Sequence, residues 1–278
     1  MNFDTRETRE LIAFYRDAGA DALIGEAPVD RMADEAVALP APERRKPDSD
    51  LSTAASRAQA EAAQMDRQPR APAATPAAPE AAIMAAREAV KSAKTLEELR
   101  ALLENFNGCG LRATATQLVF ADGNPQGRVM FVGEAPGHDE DITGRPFVGR
   151  SGKLLDLMMA AIGLDRRGAY IANVVPWRPP GNRTPTPQET AICLPFIRRQ
   201  IELADPDILV CLGGPAMQTL LGTKDGITRS RGRWFKFDTG SREIRALATF
   251  HPAFLLRSPL QKRFAWRDFL ALKKALAG

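Results

Sequence analysis

The chain is poor in the residues from which many sites are built. Its 278 residues include 3 Cys and 2 His. Three cysteines at uneven spacing make no disulfide framework. His138, His251 and the cysteines show no usual zinc spacing, so no metal site is expected. This cysteine usage suits a reduced, cytoplasmic protein. No apolar run is long enough to span a membrane. The N-terminal stretch MNFDTRETRE is polar and charged, unlike a signal peptide. A phosphate loop is missing as well. Gly149-Arg-Ser-Gly-Lys153 has a faint look of one, but Phe147 stands where the motif needs Gly and Leu154 where it needs Ser or Thr. No G-x-G-x-x-G follows a strand-like run. Nucleotide triphosphatases and dinucleotide enzymes are therefore set aside.

What is present is a core-forming composition, 44% hydrophobic, on a basic chain of net charge +4 and pI near 9.1. From Lys224 to Gly278 there are 13 Lys or Arg against 4 Asp or Glu. Such a basic C-terminal stretch is the footprint of a polyanion partner, or only a solvated face. Against this background the stretch GEAPGHDED (133–141) stands out, with Glu134, Asp139, Glu140 and Asp141 on what reads as a flexible Gly/Pro loop.

Three segments are expected. Residues 1–25 hold a helix over 5–18, with Leu11, Ile12, Phe14 and Tyr15 on one side and Gly19 as its stop. It reads as a docking element for a protein partner, or as a helix packed on the main domain. Residues 26–82 include Ala/Pro-rich, charged sequence without apolar period and read as a disordered linker. Residues 83–278 form the compact domain. Within it Thr95-Leu-Glu-Glu98 and Thr186-Pro-Gln-Glu189 are capping boxes that start helices. Strands are expected at 128–132, 169–175, 207–212 and 244–250, with helices between them and a closing helix from about Leu260. This alternation predicts an α/β fold: three αβα layers around a central four-stranded parallel sheet. Ligands bind such sheets at the carboxyl ends of the strands. That rule gathers the loops after the first, second and fourth strands on one rim.

Those loops carry GEAPGHDEDITGRPFVGRSGKLL, YIANVVPWRPPGNRTPTPQE and HPAFLLR. In these stretches residues 104–276 closely resemble uracil-DNA glycosylases of the bacterial family 4 type. The resemblance implies a base-excision repair hydrolase that flips uracil out of DNA and hydrolyses its N-glycosidic bond, leaving an abasic site. It implies DNA containing uracil as the partner, single- or double-stranded, and a monomer. By the same resemblance Glu134 is the catalytic carboxylate that stabilises the cationic sugar and orients the water, and Glu140 is a second acidic pocket residue. Asp139 and Asp141 read as solvated or capping groups. His251 would stabilise the departing uracil anion. Asn173 would read the base edge, Phe147 would stack on its face, and Ala135 and Gly137 would line the pocket. Leu255 or Leu256 would fill the gap in the stack, while Arg257, Arg183 and Arg231 would hold phosphates. Gly137 stands where some relatives place a bulky residue that screens out thymine. Broader excision of deaminated bases, or abasic-site and uracil binding without turnover, are the alternative functions.

Family 4 enzymes normally hold a four-iron cluster on four cysteines. Here the first pair reads Phe106-Asn-Gly-Cys109, the loop position is Trp177, and the helix position is Cys193. Cys211 lies inside an apolar strand. The expectation is therefore that no iron–sulfur cluster is bound, no cofactor is needed, and Cys109 and Cys193 are remnants of the ligand set.

Overall fold

A computed structural model of the chain describes residues 79–277. The expected helix over 5–18, and the linker up to residue 78, lie outside the described residues. The domain begins before residue 83: α1 runs Pro79–Ser92, and Ala82 and Ala86 on it are buried. A Pro at the first helical position and small residues facing a partner helix suit such a start.

Next comes α2, Leu96–Asn105. Thr95 caps it, accepting from the Glu98 amide at 3.2 Å, while the Glu98 carboxylate reaches back to the Lys94 amide at 2.6 Å. The six strands are β1 (Asp122–Gly123), β2 (Val129–Gly133), β3 (Ala169–Asn173), β4 (Ile208–Leu212), β5 (Trp234–Asp238) and β6 (Glu243–Thr249). They form one sheet in the order β1-β3-β2-β4-β6-β5. The four expected strands are its parallel centre, each within a residue or two of the predicted ends. The two outer strands were not foreseen, and both pair antiparallel. β1 is only two residues long, and β5 mixes charge with aromatics, so neither gives a clear apolar run.

The remaining helices are α3 (His138–Thr143), α4 (Arg150–Ala160), α5 (Pro187–Ala204), α6 (Gly214–Leu221), α7 (Ile227–Ser230), α8 (Pro252–Arg257) and α9 (Lys262–Ala277). Alternation along β2 divides the core between two faces. Met130 and Val132 point into a cluster with Leu99, Phe196 and Ile201, from α2 and α5. Val129 and Phe131 point into a second cluster with Leu155, Met159 and Phe269, from α4 and α9. Phe131 and Phe269 stack across that layer at 6.0 Å. The chain leaves β2 toward β3 on one side and returns to β4 on the other, so the crevice at the strand ends is a topological switch point.

Candidate active site

The ends of the strands are in register. Gly133 pairs with Asn173, and Leu212 pairs with Thr249. Beyond β3 the ladder continues, with the Val175 amide bonded to the Glu134 carbonyl at 3.0 Å. The Gly213 amide likewise bonds to the Thr249 carbonyl at 2.8 Å. Glu134, Asn173 and His251 therefore start from rigid strand ends. They meet in a cavity of about 640 Å³, whose lining also includes Ala135, Gly137, Glu140, Phe147, Arg183 and Arg257.

Glycines make room for these groups. A Cβ on Gly133 would lie 2.5 Å from Asn173 Oδ1 and 2.6 Å from the Phe147 ring. Gly152 lets the Phe147 carbonyl approach to where a Cβ would sit only 1.7 Å away. Phe147 itself has φ +55°, left-handed backbone that a bulky residue rarely adopts. Its ring is buried and lies 5.5 Å from the His251 ring.

The acidic stretch is not a loose loop. Residues 138–143 form α3, and its carboxylates have separate tasks. Buried Glu140 accepts from the amides of Gly137, Val148 and Gly149, each at 3.0 Å. It ties together the two ends of the segment that carries Phe147. Asp141, expected to be solvated or capping, is buried. It accepts from the Thr116 amide at 2.8 Å, the Thr116 hydroxyl at 3.0 Å and the Gln117 amide at 3.3 Å. Both carboxylates are occupied by backbone donors, which is how buried charge is kept. Asp139 is exposed.

Glu134 differs from its neighbours. Its Oε1 is buried and has no hydrogen-bond partner among the described residues, and the same holds for Asn173 Oδ1. Burial pushes the Glu134 carboxyl above the usual range, partly offset by the Thr184 hydroxyl. His251 caps α8 by accepting from the Ala253 amide through Nδ1 at 3.1 Å. That bond leaves the ring proton on Nε2. Burial, then the positive charge of Arg257, lowers the His251 pKa to about 4, so the imidazole is neutral at physiological pH.

Two unpartnered buried oxygens and a neutral imidazole N–H line a single cavity. The model described as the uracil DNA glycosylase superfamily matches residues 120–270. The chain belongs to this superfamily. It is 44% identical over 169 residues to the type-4 uracil-DNA glycosylase of Thermotoga maritima, a match covering 59% of this chain and 86% of that protein. To the type-4 enzyme of Archaeoglobus fulgidus it is 38% identical, over 63% of this chain and 90% of that protein. A DNA polymerase of Bacillus phage SP01 is 29% identical over 56% of this chain, but only 16% of that protein is matched.

The kinship overturns one expectation. The departures at Phe106 and Trp177 point to a protein without a cofactor. Its relatives are type-4 enzymes, the type to which the four-iron cluster belongs, and that kinship contradicts the expectation. At the corresponding place the described residues offer two thiols. Cys109 and Cys193 are both buried, and their sulfurs are within hydrogen-bond reach of each other. Phe106 packs edge-on against Phe196 at 4.9 Å, and Trp177 is buried. Among the described residues no group of three or more His, Cys, Asp or Glu could hold a metal ion. These side chains do not match a four-thiolate ligand set.

Two expected DNA contacts change on the same structural grounds. Arg231 is committed to the buried carboxylate of Asp268 and to the Phe264 carbonyl, so it holds α9 against the sheet. Leu255 is buried against Phe250 and Ala265. Helical spacing turns Leu256 outward, where it lines an adjoining groove with Arg150 and exposed Arg257. Arg183 lines the cavity but makes a two-pronged ion pair with Glu189 at 2.6 and 2.8 Å. The sequence reading missed the loop after β4. Gly213 has φ +94°, and a Cβ there would lie 3.0 Å from the His251 Cβ. The pair Gly213-Gly214 at a strand end was the available signal.

Proposed function

We propose that this cavity receives a uracil rotated out of DNA, and that the chain hydrolyses the bond between that base and its sugar. The carrying observation is the pair of buried, unpartnered oxygens, Glu134 Oε1 and Asn173 Oδ1, beside the neutral His251. Buried polar atoms without partners are rare, and a ligand is the simplest source of partners.

Each group has a task suited to its chemistry. Phe147 stacks on one face of the base, a contact worth about 1–3 kcal/mol. Asn173 lies at the edge of the base, with an acceptor oxygen and two donor N–H groups. As the C1′–N1 bond breaks, the sugar gains positive charge and the base gains negative charge. The poorly solvated Glu134 carboxylate stabilises the cation and orients a water whose oxygen bonds to C1′. The water's proton passes to the carboxylate or to solvent. His251 donates from Nε2 to the uracil oxygen that gathers negative charge. It does so as a neutral donor and transfers no proton. One such donor typically contributes about 2.7–4 kcal/mol. The uracil anion takes its proton from solvent, so the products are uracil and an abasic site.

Arg257 at the cavity mouth and Leu256 in the adjoining groove contact the DNA backbone and the gap in the stack. The protein works as a monomer, in the cytoplasm on the nucleoid, on single- or double-stranded DNA. Residues 1–25 serve a protein partner, and residues 26–78 link them to the domain, which begins with α1 at Pro79. Among the described residues no helix is long and apolar enough to cross a membrane. Incubation with a uracil-containing oligonucleotide, followed by alkaline cleavage, tests the reading. Strand breaks at the uracil position are expected, and an intact strand would contradict it.

A further inference from the structure

Phe147 occupies an unfavourable backbone conformation, and strained residues persist only where their surroundings over-determine them. The surroundings here converge on Arg166, in the connection between α4 and β3. Its guanidinium has five N–H groups and meets five acceptors. Nε donates to Asp156 at 2.9 Å. Nη1 donates to Asp122 and, at 3.2 Å, to the Pro146 carbonyl. Nη2 donates to the Phe147 carbonyl and, at 3.4 Å, to the second oxygen of Asp156. Asp122 lies on the two-residue strand β1, which pairs with the strand carrying Asn173, and Asp156 lies on α4, which follows Phe147. The side chain is only 20% exposed. Arg145 also reaches Asp122, at 3.0 Å.

We propose that Arg166 is a positioning residue for the flipped base, holding the Phe147 carbonyl so that the ring keeps its place beside Asn173 and His251. A planar fork with five fixed donors can hold two carbonyls between two carboxylates, and a Lys ammonium cannot reproduce that geometry. The proposal rests on the reading of the cavity given above, but the hydrogen bonds it invokes do not.

The test is a double-mutant cycle on the full chain, using Arg166→Ala, Phe147→Ala and the double variant. Single-turnover cleavage of a single-stranded uracil oligonucleotide gives the rate and the half-saturating protein concentration. Arg166→Ala is expected to lower their ratio about tenfold in the native background and less than about twofold when Phe147 is already Ala. Equal losses in both backgrounds would overturn the proposal and leave Arg166 a general stabiliser. Arg166→Lys keeps a cation between the two aspartates if Arg166→Ala fails to fold. Hydrogen exchange on Arg166→Lys supplies a readout independent of activity. Faster exchange confined to residues 145–153 supports the proposal, and unchanged or uniformly faster exchange refutes it. An inert wild-type protein would sink the cavity reading, while the exchange result would still decide whether Arg166 holds the loop.

Discussion

Gly133 has no side chain to offer a substrate, yet Gly133→Ala should be among the most damaging substitutions in the protein. The added methyl would sit 2.5 Å from Asn173 Oδ1 and 2.6 Å from Phe147 Cζ. Ordinary contact begins near 3.4 Å, so one or both groups must move by roughly 1 Å. Asn173 is anchored on β3, in register with Gly133 itself, and Phe147 is pinned from behind by Gly152 and Arg166. Neither can retreat without disturbing its support. A misplacement of about 1 Å in a positioned group typically costs on the order of 100-fold in rate. The cost in stability should be smaller, about 1–3 kcal/mol for an overpacked site. Single-turnover release of uracil from a single-stranded oligonucleotide isolates the chemical step, and thermal unfolding reports the fold. Gly110→Ala is the control, because nothing lies within 4 Å of its Cβ position and its φ is ordinary. A Gly133→Ala protein that folds and cleaves at the wild-type rate would refute the placement of Asn173 and Phe147 against the base.

Glu134→Gln should abolish most activity while raising the melting temperature at neutral pH. The folded-state pKa of Glu134 lies above its unfolded value, so its charge is a burden that grows as pH rises, and the gain should shrink in acid. A loss of stability at pH 7 would count against an unpaired carboxylate. His251 has the opposite sign: its pKa falls to about 4, so stability present above the unfolded value near 6.5 is lost as pH drops toward 4. His251→Gln should flatten the stability profile in that window, and an unchanged slope would disagree. Arg257→Ala should weaken DNA binding and reduce the salt dependence by about one counterion, whereas Arg231→Ala should cost about 3–5 kcal/mol of stability by stranding buried Asp268. Equal salt slopes for Arg257→Ala and the wild type would remove Arg257 from the DNA contacts.

The parallel centre of the sheet was legible because Val129–Gly133, Ala169–Asn173, Ile208–Leu212 and the end of β6 are buried on both faces and read as apolar runs. β5 and β1 escaped for the complementary reason: edge strands need not be apolar, and two residues carry no period. At the site the loops named from sequence do converge on one cavity. What could not be read was which carboxylates are spoken for. Glu140 and Asp141 are set apart from Glu134 by the amides that reach them, which come from residues 116–117, 137 and 148–149. Arg231 and Arg257 likewise look alike in sequence, and only the placement of Asp268 separates a buried ion pair from a cation with no ion-pair partner among the described residues. Phe106, which caps α2 at the place of a ligand cysteine in the family pattern, points away from a cofactor, and kinship with type-4 enzymes contradicts that inference.

The central claim is that Glu134, Asn173 and His251 form one catalytic pocket for uracil. Its most direct test is single-turnover cleavage of a single-stranded uracil oligonucleotide by the wild-type chain, by Glu134→Gln, by His251→Ala and by the double variant. The account predicts uracil release by the wild type, a loss of about 100-fold or more for each single variant, and a base left attached in the double variant. Wild-type rates in both single variants would contradict it.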